Sequence, residues 1–148
     1  ILQFNKSLIS MNLQPMYLSS SFMRIQDDQF QIVGAGMPPL FYFNYKKKII
    51  EEIESSGPPL GGFPNFNYEI NLRKFSKGDI FILMSDGFAE RLNENKEIYG
   101  WGKERELLST ITDLTADQII KEFINVSDEW GGKREQDDDI TLVVLKAK

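Results

Sequence analysis

Neither cysteine nor histidine occurs anywhere in the 148 residues. Without cysteine there is no disulfide, no thiolate nucleophile and no zinc–thiolate site, a pattern that fits a reducing compartment. Without histidine there is no Ser-His-Asp catalysis, no imidazole general base and no histidine-ligated zinc or iron. A metal ion held by side chains must then be held mainly by carboxylate oxygens, the donors that suit Mg²⁺, Mn²⁺ and Ca²⁺. A basic surplus is missing too: 17 Lys and Arg stand against 22 Asp and Glu, a net charge of -5. A duplex binder would show a basic face. The basic cluster Lys46-Lys47-Lys48 is followed closely by Glu51, Glu52 and Glu54, so a solvated turn accounts for it and nucleic acid is not expected as a partner. No apolar run approaches the roughly 18 residues needed to cross a bilayer, and no signal-peptide pattern opens the chain, so no direct membrane contact is expected of this segment. What is present is material for a core. Hydrophobic residues make up 41% and aromatics 12%, which sets overall disorder aside, in a length that usually makes one domain.

The chain opens at Ile1-Leu2-Gln3-Phe4 with no initiator Met and no clear N-cap, and apolar residues at positions 1, 4, 8 and 9 have helical spacing. It is expected to begin inside or at the edge of an amphipathic helix rather than at a native start. Apolar stretches at 16–25 and 29–33 flank Asp27-Asp28 and predict a hairpin. Gly34-Ala35-Gly36-Met37-Pro38-Pro39 breaks the second strand. Leu40 to Tyr45 predicts another strand, and Lys48 to Ile53 is read as strand rather than helix because Ile49, Ile50 and Ile53 are β-branched. Gly57-Pro58-Pro59-Leu60-Gly61-Gly62 is a loop, and it lacks the Lys-Ser/Thr ending of a nucleotide-binding P-loop. Tyr68, Ile70 and Leu72 alternate with polar residues and predict a half-buried strand. Ile80 to Met84 is apolar on both faces, as a strand buried between two layers would be. Helices are predicted over about 103–111 and from Thr115, whose spacing to Gln118 suits a capping box, to Gly131-Gly132. A last strand runs from Ile140 to Leu145. The whole is one mixed α/β unit rich in antiparallel strands.

Two acidic segments stand at strand ends. Asp86 follows the buried strand in Ser85-Asp86-Gly87, and Asp137-Asp138-Asp139 precedes the last strand in Gln136-Asp137-Asp138-Asp139-Ile140-Thr141. If those strands are antiparallel neighbours, the two segments converge, and converging carboxylates repel unless a cation or proton lies between them. The plainer readings are an Asp-Gly hairpin turn and a solvated acidic turn; spacing alone leaves both open.

Ser85-Asp86-Gly87 with Glu90 and Asn93, together with Gln136-Asp137-Asp138-Asp139-Ile140-Thr141-Leu142-Val143-Val144, resembles the PPM superfamily of metal-dependent protein serine/threonine phosphatases, most closely its bacterial SpoIIE-like branch. Ala35-Gly36-Met37-Pro38-Pro39, Pro59-Leu60-Gly61 and Lys77-Gly78-Asp79 continue the resemblance in the family's order, over nearly the whole chain. The resemblance implies an α+β fold, a sandwich of two packed antiparallel β-sheets flanked by helices. It implies that Asp86 and Asp138 are metal ligands, that Gly87, Asp137 and Asp139 lie beside them without binding directly, and that the cofactor is Mn²⁺ or Mg²⁺ in a two-ion site. A metal-bound water would attack phosphoserine or phosphothreonine directly, which reconciles phosphatase chemistry with a chain lacking His and Cys.

Two departures are visible. The family's Gly-Gly-Asp segment, which supplies the bridging Asp, has no counterpart, so residues 1–148 are expected to be a single, N-terminally truncated phosphatase domain. Met37 also stands where Ala-Gly-His is usual, a form found within the SpoIIE-like branch. The expected partners are a phosphorylated regulatory protein as substrate and an upstream sensor or regulatory domain, in the cytoplasm or on the cytoplasmic part of a membrane-anchored sensor. The rival from another class is a catalytically inactive module that keeps the fold and regulates a partner by binding it. A plain Ca²⁺-binding domain is disfavoured by the lack of an EF-hand loop.

Overall fold

In the computed structural model, which describes residues 1–12, 16–54 and 57–148, the elements run α1 (Leu2–Ser10), β1 (Ser20–Gln26), β2 (Gln29–Ala35), β3 (Leu40–Asn44), β4 (Ile49–Ile53), β5 (Asn71–Lys74), β6 (Ile80–Met84), α2 (Lys103–Thr110), α3 (Ala116–Gly131) and β7 (Leu142–Lys146). The strands form two antiparallel sheets, ordered β1-β2-β5 and β4-β3-β6-β7. The architecture is α+β, and the chain groups into two units, residues 1–39 with 53–75 and residues 40–52 with 76–148.

In the first unit the β1–β2 hairpin closes over Asp27-Asp28, with Gln26 opposite Gln29 and Asp27 at φ 54°, a left-handed turn conformation that Asp tolerates better than most residues. β1 is shorter than its apolar stretch, starting at Ser20 rather than Met16. The expected half-buried strand at Tyr68, Ile70 and Leu72 is also different: β5 covers only Asn71–Lys74, and Ile70 and Leu72 are exposed while Tyr68 is buried. The register explains Leu72. It lies opposite Gln31 and so shares that residue's outward face, whereas Phe30 and Ile32 point inward and are fully buried. Helix α1 brings Ile1 and Leu8 onto the cluster of Val33, Ala35, Leu60 and Tyr68. Its polar residue Asn5 is fully buried yet satisfied, donating to the Phe63 carbonyl at 2.8 Å and accepting from the Gly61 N–H at 2.8 Å.

In the second unit β6 is central, with β3 on one side and β7 on the other. Ile80, Phe81, Ile82 and Met84 are each no more than 2% exposed, as its uninterrupted apolar run requires. Ile80, Ile82 and Met84 share a core with Leu108 and Ile111 from the α2 region, Ile119 and Phe123 of α3, and Phe88 after the strand. Helix α3 starts at the expected box: the Thr115 hydroxyl takes the Gln118 N–H while the Gln118 side chain takes the Thr115 N–H. Asp79 anchors the turn into β6. It is fully buried and accepts from the Tyr42 hydroxyl at 2.5 Å, the Tyr45 N–H at 2.8 Å and the Ser76 N–H at 2.8 Å, so this carboxylate ties β3 to β6 without a cationic partner in any of those bonds.

Candidate metal centre

The register of β6 and β7 decides what stands at their shared end. Met84 lies opposite Leu142, and the pairing continues past both strands. The Ser85 N–H donates to the Thr141 carbonyl at 3.0 Å. The Ser85 hydroxyl accepts from the Thr141 N–H at 2.9 Å and donates to the Asp139 carbonyl at 3.1 Å. One small side chain therefore stitches the start of the Asp86 segment to both ends of 139–141. Gly87 comes closer still. A Cβ there would lie 2.5 Å from the Asp139 carbonyl oxygen and 3.5 Å from that of Asp138, so glycine is required by contact rather than by a special backbone angle. The strands are antiparallel neighbours, and the two acidic segments meet.

Within that junction the carboxylates differ. Asp86 is exposed on a turn whose Asp86 carbonyl accepts from the Glu90 N–H at 2.9 Å, while Phe88 and Ala89, at 1% and 0% exposure, root the turn in the core. Asp138 is exposed, and its Oδ1 accepts from the Asp139 N–H at 2.8 Å. Asp137 is engaged elsewhere: Arg134 reaches it through Nε to Oδ2 at 3.0 Å and Nη2 to Oδ1 at 2.6 Å. Those bonds hold the Asp137 carboxyl below the usual carboxylate range. Asp139 contributes its backbone, accepting from Ser85 and donating to Asp138. Gly87, Asp137 and Asp138 line a cleft of about 350 Å³ with Glu90, Arg91, Leu92 and Ile98; Asp86 and Asp139 are not among its lining residues.

The chemistry of this donor set suits a hard cation, since it offers exposed carboxylate oxygen and no nitrogen or sulfur. It is short of a full set. Among the described residues, no group of three or more Asp, Glu, His or Cys side chains could by itself hold an ion. The residues fit part of a carboxylate site. Sequence patterning passes over Ser85 and Arg91, because a serine beside an Asp-Gly and one arginine in a polar turn carry no periodic signal. Two of the other motifs, Ala35–Pro39 and Pro59–Gly61, meet in the first unit, where the Gly36 N–H donates to the Gly57 carbonyl at 2.7 Å and a Cβ on Gly36 would lie 2.6 Å from the Pro59 ring; Lys77-Gly78-Asp79 belongs to the second unit.

A sequence profile of the family described as Stage II sporulation protein E (SpoIIE) matches residues 2–148. The chain is 30% identical over 124 residues to the phosphoserine phosphatase RsbU of Bacillus subtilis (strain 168), covering 81% of this chain and 35% of RsbU. It thus spans about a third of the length of that curated relative. Its fold is similar to the SiaA-PP2C domain of Pseudomonas aeruginosa, with a TM-score of 0.84 at 17% identity over 97% of this chain and 58% of that one. It is also similar to the catalytic domain of the serine threonine protein phosphatase PstP, solved in complex with 2 manganese ions, with a TM-score of 0.68 at 14% identity over 95% of this chain and 65% of that one. Two antiparallel sheets with helices, the acidic strand ends in register and a profile matching all but the first residue lead to one conclusion: the chain belongs to the SpoIIE family of PPM-type serine/threonine phosphatases.

Proposed function

We propose that Asp86 and Asp138 are ligands of a divalent cation, Mn²⁺ or Mg²⁺, in a two-ion site completed by carboxylates from elsewhere in the protein, and that this protein hydrolyses phosphoserine or phosphothreonine on a regulatory protein. The observation that carries this reading is the contact of Gly87 with the Asp138–Asp139 backbone, which brings two strand-terminal acidic segments to one point on an ordered core. Bound divalent ions would supply an activated water at neutral pH and neutralise the phosphoryl oxygens. The chain's own part is to hold the charge in place. Asp86 and Asp138 provide it, Ser85 fixes the spacing of their backbones, and Arg134 keeps Asp137 turned to an ion pair. With no His or Cys, these residues offer no imidazole or thiolate nucleophile, which accords with direct attack by water.

The substrate is a phosphorylated regulatory protein, and the chain serves as the output part of a bacterial signalling protein with a sensor or regulatory domain beside it, acting in the cytoplasm. Among the described residues no helix is long and apolar enough to cross a membrane. The test is a phosphopeptide assay on the full-length protein in millimolar Mn²⁺. Asp86→Asn and Asp138→Asn should each remove most turnover while shifting Tm by no more than about 2 °C, as exposed substitutions do. Full activity in either variant, or activity indifferent to a chelator, would sink the assignment. The rival, a phosphatase-fold module that only binds its partner, draws on the shortage of gathered carboxylates; it requires a full-length protein inactive at every Mn²⁺ concentration yet able to bind.

A further inference from the structure

Arg91 is a cation only 7% exposed, and its guanidinium bonds to backbone carbonyls rather than to a carboxylate. Its guanidinium forks onto two successive backbone carbonyls, Nη1 to Glu135 O at 2.8 Å and Nη2 to Arg134 O at 2.7 Å. The contact is reciprocated. Trp130 Nε1 donates to the Arg91 carbonyl at 3.0 Å, and the Lys133 N–H donates to Glu94 Oε1 at 2.8 Å. The last turn of α3 is cut away to admit the guanidinium: a Cβ on Gly131 would lie 2.1 Å from Arg91 Nη2. Arg91 belongs to the turn that starts at Asp86, and the carbonyls it grips end three residues before Asp138.

We infer that Arg91, seconded by Glu94, is a positioning residue that clamps the 133–137 segment to the turn after Asp86 and so sets the Asp138 carboxylate for ion binding. The inference rests on the reading of Asp138 as a ligand. A planar guanidinium with five N–H donors can hold two neighbouring carbonyls at once, and burial keeps water from competing. Lysine offers a compact ammonium on a flexible stem and cannot reproduce the fork. The clamp acts at the far side of the junction from Ser85, so 134–141 is pinned to the 85–94 segment at both of its ends. A ligand loop held in this way loses little freedom when the ion arrives, and outer partners of this kind typically carry about 10–100-fold in metal affinity.

The experiment is a Mn²⁺ titration of the full-length protein followed by the electron paramagnetic resonance of free Mn²⁺, beside amide hydrogen exchange of residues 133–139 in metal-free protein. Arg91→Lys should weaken Mn²⁺ binding about tenfold and speed exchange across 133–139, with kcat recovering at saturating Mn²⁺. Glu94→Ala, at an exposed position, should act in the same direction by a smaller factor and stands as the deciding variant if Arg91→Lys does not fold. Asp138→Asn is the reference. If it weakens Mn²⁺ binding while Glu94→Ala and any folded Arg91→Lys bind as tightly as the parent, the clamp is refuted and the ligand stands. If Asp138→Asn leaves binding unchanged, the ligand assignment fails and the clamp's role in metal binding falls with it.

Discussion

Replacing Gly87 by alanine adds one methyl group at the point where the two acidic segments touch. The new Cβ would lie 2.5 Å from the Asp139 carbonyl oxygen, whereas an ordinary contact begins near 3.4 Å. The segments must therefore separate by about 0.9 Å, and the obstacle is backbone, which cannot swing aside as a side chain would. Two residues away the Ser85 N–H to Thr141 O bond, now 3.0 Å, would stretch beyond bonding distance, a loss of about 1 kcal/mol. Overpacking adds about 1–2 kcal/mol, for a total near 2–3 kcal/mol and a Tm drop of roughly 4–12 °C in a chain of this size. The same movement draws Asp138 away from Asp86, so Mn²⁺ affinity should fall about tenfold in parallel. Gly100→Ala separates the two effects. Gly100 sits at φ +96° with nothing within 4 Å of its missing Cβ, so alanine there costs about 1–2 kcal/mol of backbone strain and should leave Mn²⁺ affinity alone. Thermal melts and Mn²⁺ titrations of the full-length protein read both. A Gly87→Ala variant with parental Tm and parental affinity would refute the claim that this contact holds the junction.

Three more outcomes follow from buried polar groups. Asp79→Asn places an amide NH₂ among the three donors that Asp79 now accepts from, and should cost about 2–3 kcal/mol in urea unfolding; an unchanged midpoint would count against the anchor. Burial first, then the hydrogen bond and charge of Asp79, push the Tyr42 hydroxyl well above its ordinary value. That stabilising term is complete below the unfolded-state value near 10 and is lost as pH rises above it, so Tm should fall less steeply beyond about pH 10 in Tyr42→Phe than in the parent. Burial likewise raises the carboxyl of Glu104, whose Oε1 has no hydrogen-bond partner among the described residues. Its contribution is complete below about pH 4.3 and is lost as pH rises through the folded value, so the stability of Glu104→Gln relative to the parent should improve from acid to neutral pH. A gap independent of pH would show that this carboxyl has the same affinity for protons in both states.

Most of the fold was legible because its signals are local. The capping box at Thr115 and Gln118, the turn at Asp27-Asp28 and the unbroken apolar run of β6 each depend on neighbours in sequence, and each formed as expected. β5 was misread for the converse reason. Alternation at Tyr68, Ile70 and Leu72 marks a face but not which way that face points. The pairing of Leu72 with Gln31, a partner 41 positions away, turns it outward, and no periodicity within the strand carries that information.

At the junction the residue types were legible and the division of labour was not. Asp137, Asp138 and Asp139 are the same side chain three times over, and sequence distinguishes them only through the family resemblance. Their neighbours distinguish them physically. Arg134, one helical-type spacing upstream, engages both oxygens of Asp137, whereas the Asp139 carbonyl is held by Ser85 from across the sheet end. Asp138 is left between them as the carboxylate of the three that lines the cleft with no ion-pair partner among the described residues. The residues that enforce this sorting are 44 and 54 positions distant from what they grip, Arg91 on Glu135 and Ser85 on Asp139. Their bonds end on backbone carbonyls, which every residue type possesses, so the target leaves no mark in the sequence. What does leave a mark is the space the clamp needs. Gly87 and Gly131 are where two backbones, or a backbone and a guanidinium, approach too closely for any Cβ, and a glycine beside an acidic strand end or at the last turn of a helix is the trace of the tertiary contact that a motif search passes over.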